Sequence, residues 1–121
     1  MRAVSLAFVA LLLACDSVTT PTAPPLPEEL VVLEFQLAQE KIANEYNRLG
    51  AWTLSPDDFK WHPHDGHFRC GDVKQADGCY STGRHLIEYN IDTSWVIRHE
   101  AGHGILHLLG DDRWKCYGEG C

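Results

Sequence analysis

The sequence predicts an α+β fold in which two main helices flank a small sheet and disulfides staple the loops. Three observations carry this. Apolar residues recur at spacings of three and four over 28–49, and again over about 94–109. Between them, Ile87, Tyr89 and Ile91 alternate with Glu88 and Asn90, the pattern of a half-buried strand. Four cysteines, Cys70, Cys79, Cys116 and Cys121, fall in the second half of the chain, an even number suited to disulfide pairing.

The chain opens with MRAVSLAFVALLLA, one Arg leading into an unbroken apolar run that stops at Cys15. These are signal-peptide features, and the run is shorter than the about 20 residues of a membrane span. Leu12-Leu13-Ala14-Cys15 resembles a bacterial lipoprotein lipobox, which implies export and an N-terminal lipid on Cys15 that anchors the chain to the cell envelope. Residues 15–27 follow as a Pro/Thr-rich tether: four of the six prolines fall within DSVTTPTAPPLPEE. Such a composition builds no core and reads as a semi-rigid spacer. Residues 28–121 remain as one small domain. At this size a chain buries only about 60–65% of its unfolded surface, so covalent staples are expected.

The first helix is expected over 28–49, with Val31, Phe35, Ala38, Ile42, Tyr46 and Leu49 on one face, Pro27 and two glutamates at its start, and Gly50 as its stop. Ala51 to Gly83, rich in Gly, Pro, Asp and His, reads mostly as loop with short strands at most. Its WHPHDGHF segment holds His62, His64 and His67, which read as exposed loop residues or as a second metal site. The strand HLIEYNI (His85–Ile91) leads to Asp92 or Thr93 as a cap and to a second helix from about Ser94 to Leu109, stopped by Gly110. Tyr89 is expected to pack inward, and Trp52, Trp61, Trp95 and Trp114 to supply core volume. The four cysteines allow three pairings; the local one joins Cys70 to Cys79 and Cys116 to Cys121. A four-thiolate zinc site fits poorly, because the spacings lack the usual CxxC. The formal charge is −7, becoming −8 once Arg2 leaves with the leader, and no basic run exists. Both facts argue against nucleic acid as a partner.

The second helix carries the chemistry. Ile97, Ala101, Ile105 and Leu108 fall along one side, while His99 and His103, one turn and about 40° apart, fall roughly opposite. His99-Glu100-Ala101-Gly102-His103 is an HExxH motif. Two imidazoles at i and i+4 suit one Zn²⁺, and the carboxylate of Glu100, about 100° round the helix, suits a general base acting on an activated water.

On this motif the chain resembles the zincin metallopeptidases over about residues 85–113. The resemblance implies a zincin-like minimal domain, Zn²⁺ held by His99 and His103, Glu100 as catalytic base, and a protein or peptide substrate pairing beside the strand His85–Ile91. The pattern leaves the third ligand open between His107 and several alternatives. Metzincins continue with a glycine turn and a third histidine, but Leu106 and Leu109 stand at those two positions. His107 becomes a ligand if the helix breaks at Gly104, and not if it runs straight to Gly110. Asp111, Asp112, Glu119, His85 and the WHPHDGHF histidines are the alternatives. In another register, HGILHLLGDD resembles the bacterial rRNA-maturation endoribonucleases, with Arg113 standing where that family has a histidine ligand. A non-catalytic zinc-binding surface lipoprotein is the reading from a different class.

Overall fold

The computed structural model describes residues 27–120. The expected leader, the lipobox cysteine Cys15, most of the tether and Cys121 lie outside the described residues. The fold is α+β, as the periodicities predict: two helices against a small mixed sheet, with a further hairpin and several 3-10 turns. No helix among the described residues is long and apolar enough to cross a membrane.

Helix α1 spans Pro27–Glu45, with Glu28 and Glu29 in its first turn, where carboxylates favour the positive end of the helix dipole. Its buried face is the expected one: Val31, Phe35, Ala38 and Ile42 are buried. It ends four residues earlier than the spacing predicts. Asn47 takes a left-handed backbone (φ 55°) and the Arg48 amide turns back to the Ile42 carbonyl. Asn tolerates that conformation better than most residues, so it supplies the stop expected at Gly50. Leu49 is therefore out of the helix and exposed, in a 3-10 turn over Leu49–Thr53. Buried Gln39 fixes that turn by donating to the Ala51 and Leu54 carbonyls at 2.9 and 2.7 Å.

The middle of the chain is more regular than its composition suggests. β1 (Lys60–His64), β2 (Phe68–Cys70), β3 (Val73–Ala76), β4 (Gly78–Ser81) and β5 (Leu86–Asn90) form a three-stranded sheet in the order β1-β5-β4 and a separate β2-β3 hairpin. β1 runs parallel to β5, and β4 antiparallel. His62 and His64 thus belong to an edge strand rather than a loop, and Pro63 is tolerated there because an edge strand can lose a donor. The Cys70–Cys79 disulfide joins β2 to β4. Cys116 is disulfide-bonded too.

β5 alternates as predicted, Ile87 and Tyr89 facing the core, but Ile91 lies beyond its end and is exposed. Its place differs from the expectation: hydrogen-bonded on both flanks, it is the central strand and has no free edge for a substrate. The edge on the α2 side belongs to β4. Short β4 leaves no signal in the sequence because its four residues, Gly-Cys-Tyr-Ser, show no alternation of apolar and polar types.

Helix α2 spans Trp95–Leu108, with Ser94 at its N-cap position. Neither Asp92 nor Thr93 caps it by side chain; the opening turn is closed by the Val96 and Ile97 amides on the Thr93 and Ser94 carbonyls. It stops at Gly110 as predicted. Gly110 (φ 69°) donates to the His107 carbonyl and Asp111 to the Leu106 carbonyl, the paired bonds of a Schellman ending. Ile97, Ala101 and Ile105 are buried, and so is Leu106, whereas Leu108 is only partly covered. The buried arc is wider than predicted because a 3-10 segment, Asp112–Cys116, and the turn after it fold back over the helix.

Phe35, Phe59, Ile87, Ala101, Ile105 and Tyr117 meet in one core between α1, the sheet and α2, with Trp61 and Trp114 packed at its margin. Arg98 clips the two helices through buried Glu34 at 2.8 Å. Two tryptophans depart from expectation. Trp52 is 52% exposed on the 3-10 turn, where Ala51 is the buried anchor, and Trp95 is 62% exposed. Trp95 precedes His99 by four residues and so shares its outward face.

Candidate metal centre

Helix α2 brings His99 and His103 together. Their Nε2 atoms lie 3.1 Å apart and their rings 4.7 Å apart, nearly perpendicular. Two nitrogens that each bind one zinc at about 2.0–2.1 Å can stand no more than about 4.2 Å apart, so the pair fits a shared ion. Behind it, Nδ1 of His103 donates to the Trp114 carbonyl. A neutral imidazole has one N–H; with that proton at Nδ1, the lone pair of His103 sits on Nε2 and faces the neighbouring ring. Burial, and next the charge of His103, push the His99 pKa down, which favours the neutral form a metal requires.

The tail shapes the rest of the centre. Tyr117 is buried, its ring 5.6 Å from His99 and 5.5 Å from His103. Its atoms would lie 2.2 Å from a Cβ at position 102, so Gly102 of the motif is what admits them. Gly118 lies against the His99 ring, and the charge of Glu119 acts on His99.

Glu100 lies under the edge strand β4. A Cβ at Gly78 would meet its Cγ at 2.8 Å and Val96 Cγ1 at 2.2 Å, so only a glycine lets β4 approach this closely. Burial pushes the Glu100 carboxyl up to about 7.

His107 does not join the pair. The helix runs unbroken through Gly104, so His107 lies about 6 Å further along the axis than His103. Its Nδ1 is 2.8 Å from the Tyr80 hydroxyl, with His85 and Trp114 at ring distances of 6.0 and 5.2 Å. Among the described residues, no group of three or more His, Cys, Asp or Glu side chains converges as a metal site. His103 and His107, the pair that the endoribonuclease-like register would use, are bonded to different partners, the Trp114 carbonyl and the Tyr80 hydroxyl. Comparison with known protein families, curated proteins and solved structures finds no match to this chain.

The other candidates are engaged elsewhere. His64 meets Glu88 at 3.1 Å and stacks on Phe68, with the His62 ring 4.7 Å away; His67 pairs with Asp77 at 2.7 Å. Tyr89 packs inward beside Trp61, as expected. Asp112 is exposed. Asp111 is buried in an ion cluster with Arg113 and Arg48, and the Arg113 guanidinium first of all holds its carboxyl well below the usual carboxylate range. A depressed folded pKa means that the unfolded chain binds the proton more readily. The stability from Asp111 is therefore fully present above the unfolded value of 3.8 and lost as pH falls through that region and below. Asp111→Asn is expected to be less stable than the parent at neutral pH, with the gap closing on acidification. Denaturant unfolding across a pH series measures this; a gap independent of pH contradicts it.

The sequence motif pointed to His99, Glu100 and His103, of which the structure brings the two histidines together. It gave no sign of the Trp114 carbonyl, a backbone group, or of Tyr117 and Gly118, which lie in a tail without periodicity.

Proposed function

We propose that this chain is an exported zinc metallopeptidase, tethered to the bacterial cell envelope through a lipid on Cys15 and acting on protein or peptide substrates. The observation that carries the reading is the convergence of the His99 and His103 Nε2 atoms with the His103 tautomer set from behind by Trp114. His99 and His103 would hold Zn²⁺, and Glu119, whose charge acts on His99, is the candidate third donor. When bound, zinc supplies Lewis acidity, polarising a carbonyl and lowering the pKa of a water to about 7.

The chain's own residues supply the rest. An extended peptide adding to the open edge of β4 by main-chain hydrogen bonds would pass Glu100, which lies directly beneath Gly78. Glu100 takes the proton of the attacking water and delivers it to the leaving amine. The Cys70–Cys79 disulfide, which holds this edge strand, suits an oxidising compartment outside the cytoplasm.

One observation favours a second reading. Trp114, Tyr117 and Gly118 cover the histidine pair closely, as in a structural zinc site of a non-catalytic lipoprotein. Zinc titration against a chelator, with X-ray absorption of the loaded protein, separates the readings. One zinc per chain and an open, water-filled position are expected, and His103→Ala should weaken binding by more than ~100-fold, beyond the loss typical of residues behind the ligands. Four protein ligands would establish the structural site instead, and absence of zinc binding by the folded, oxidised chain would overturn both.

A further inference from the structure

The tail that sets His103 is itself clamped by one carboxylate. Asp111 is only 8% exposed. Its Oδ1 accepts from the backbone N and the Nε of Arg113, both at 3.0 Å; its Oδ2 accepts from Arg113 Nη2 at 2.7 Å and Arg48 Nη1 at 2.9 Å. The two guanidiniums carry the connection outward. Arg48 Nη2 donates to the Leu109 carbonyl at the end of α2, and Arg113 Nη2 to the Tyr46 carbonyl just past α1. The backbone of Asp111 adds another bond, accepting from the Trp114 amide at 3.1 Å. One buried anion thus ties together the end of α1, the end of α2 and the segment Asp112–Cys116. The residue directly after Arg113 in that segment is Trp114, whose carbonyl receives the His103 N–H.

We propose that Asp111 is a positioning residue of the metal centre: held by Arg48 and Arg113, it fixes the Trp114 carbonyl on Nδ1 of His103 and so keeps the Nε2 lone pair directed at the ion. This rests on reading His99 and His103 as the metal pair. The Schellman bonds already end α2 without the carboxylate, so the ion cluster adds a fixed place for the segment beyond. A ring whose Nδ1 partner drifts can shift its proton to Nε2, and that tautomer cannot bind metal there until the proton leaves. Groups behind metal ligands typically change affinity by 10–100-fold. Asp111 acts one step further back, so the low end of that range, about 10-fold, is expected.

The test uses the full oxidised chain and needs no substrate. Asp111→Ala is compared with Glu34→Gln, which breaks the other buried carboxylate–arginine pair, between α1 and α2, without touching the Asp112–Cys116 segment. Zinc affinity is measured by chelator competition, and the His103 tautomer by ¹⁵N chemical shifts of the metal-free protein. Asp111→Ala should weaken zinc about 10-fold and move the His103 proton away from pure Nδ1 occupancy; Glu34→Gln should lower stability and leave both readouts unchanged. A folded Asp111→Ala with parental affinity and tautomer overturns the proposal, and so does an equal zinc loss in Glu34→Gln. If Asp111→Ala fails to fold, Arg48→Gln, which removes one of the two clamps, should show the same two changes in smaller degree, and their absence overturns it. If the parent binds no zinc, the reading of the site falls, while the tautomer comparison still decides whether Asp111 sets the ring.

Discussion

Glu100→Gln is expected to lower peptide hydrolysis by ~10²–10⁴-fold while leaving the fold and the zinc stoichiometry unchanged, the magnitude typical of a lost general base. The substitution is nearly isosteric, and the Glu100 side chain is packed against Gly78, so the amide keeps the contact with the edge strand. What disappears is the ability to accept a proton. The measurement is hydrolysis of a mixed peptide library followed by mass spectrometry, run beside a zinc titration of the same sample. Unchanged turnover in Glu100→Gln would remove this carboxylate from the chemistry. Loss of zinc together with turnover would make Glu100 a ligand rather than a base.

The parts of this molecule that were legible in the sequence are those governed by period. α1 and α2 announce themselves because each buries one face, and β5 because each alternate side chain enters the core. The HExxH arrangement follows from the same regularity, since a helix read from spacing fixes where His99, Glu100 and His103 point. What stayed hidden depends on neighbours far along the chain. That β5 is central rather than an edge is decided by β1, whose His and Pro content reads as loop, and by β4, whose four residues carry no alternation. That Asn47 ends α1 is a matter of one backbone conformation. The pairing of His107 with Tyr80 joins residues 27 positions apart. The tail from Asp111 onward is held by ion pairs and carbonyl acceptors, which leave no pattern in residue type.

These two classes of feature meet in the aromatic residues that seat α2 against the sheet. Phe35 on α1 is fully buried, its ring 5.8 Å from Phe59 and 6.2 Å from Trp61. Phe59 in turn lies against Gly104 of α2 and stands 6.1 Å from Tyr80 on the edge strand. The contacts thus run from the first helix to the two elements that carry the proposed site. Phe35→Ala is expected to lower unfolding stability by about 3–5 kcal/mol, the range for emptying a buried aromatic position. Small domains have only about 5–15 kcal/mol in total, so the loss should appear as a large fall in the denaturant midpoint. Zinc should recover part of it by mass action, about 2.7 kcal/mol at a hundredfold excess over the dissociation constant, provided that the ion binds only the folded chain. Because the site assembles on α2, recovery by zinc in Phe35→Ala but not in a Phe35→Ala/His103→Ala double variant would tie the core and the histidine pair to one folding unit. A loss below about 1 kcal/mol would mean that the aromatic cluster does not seat α2.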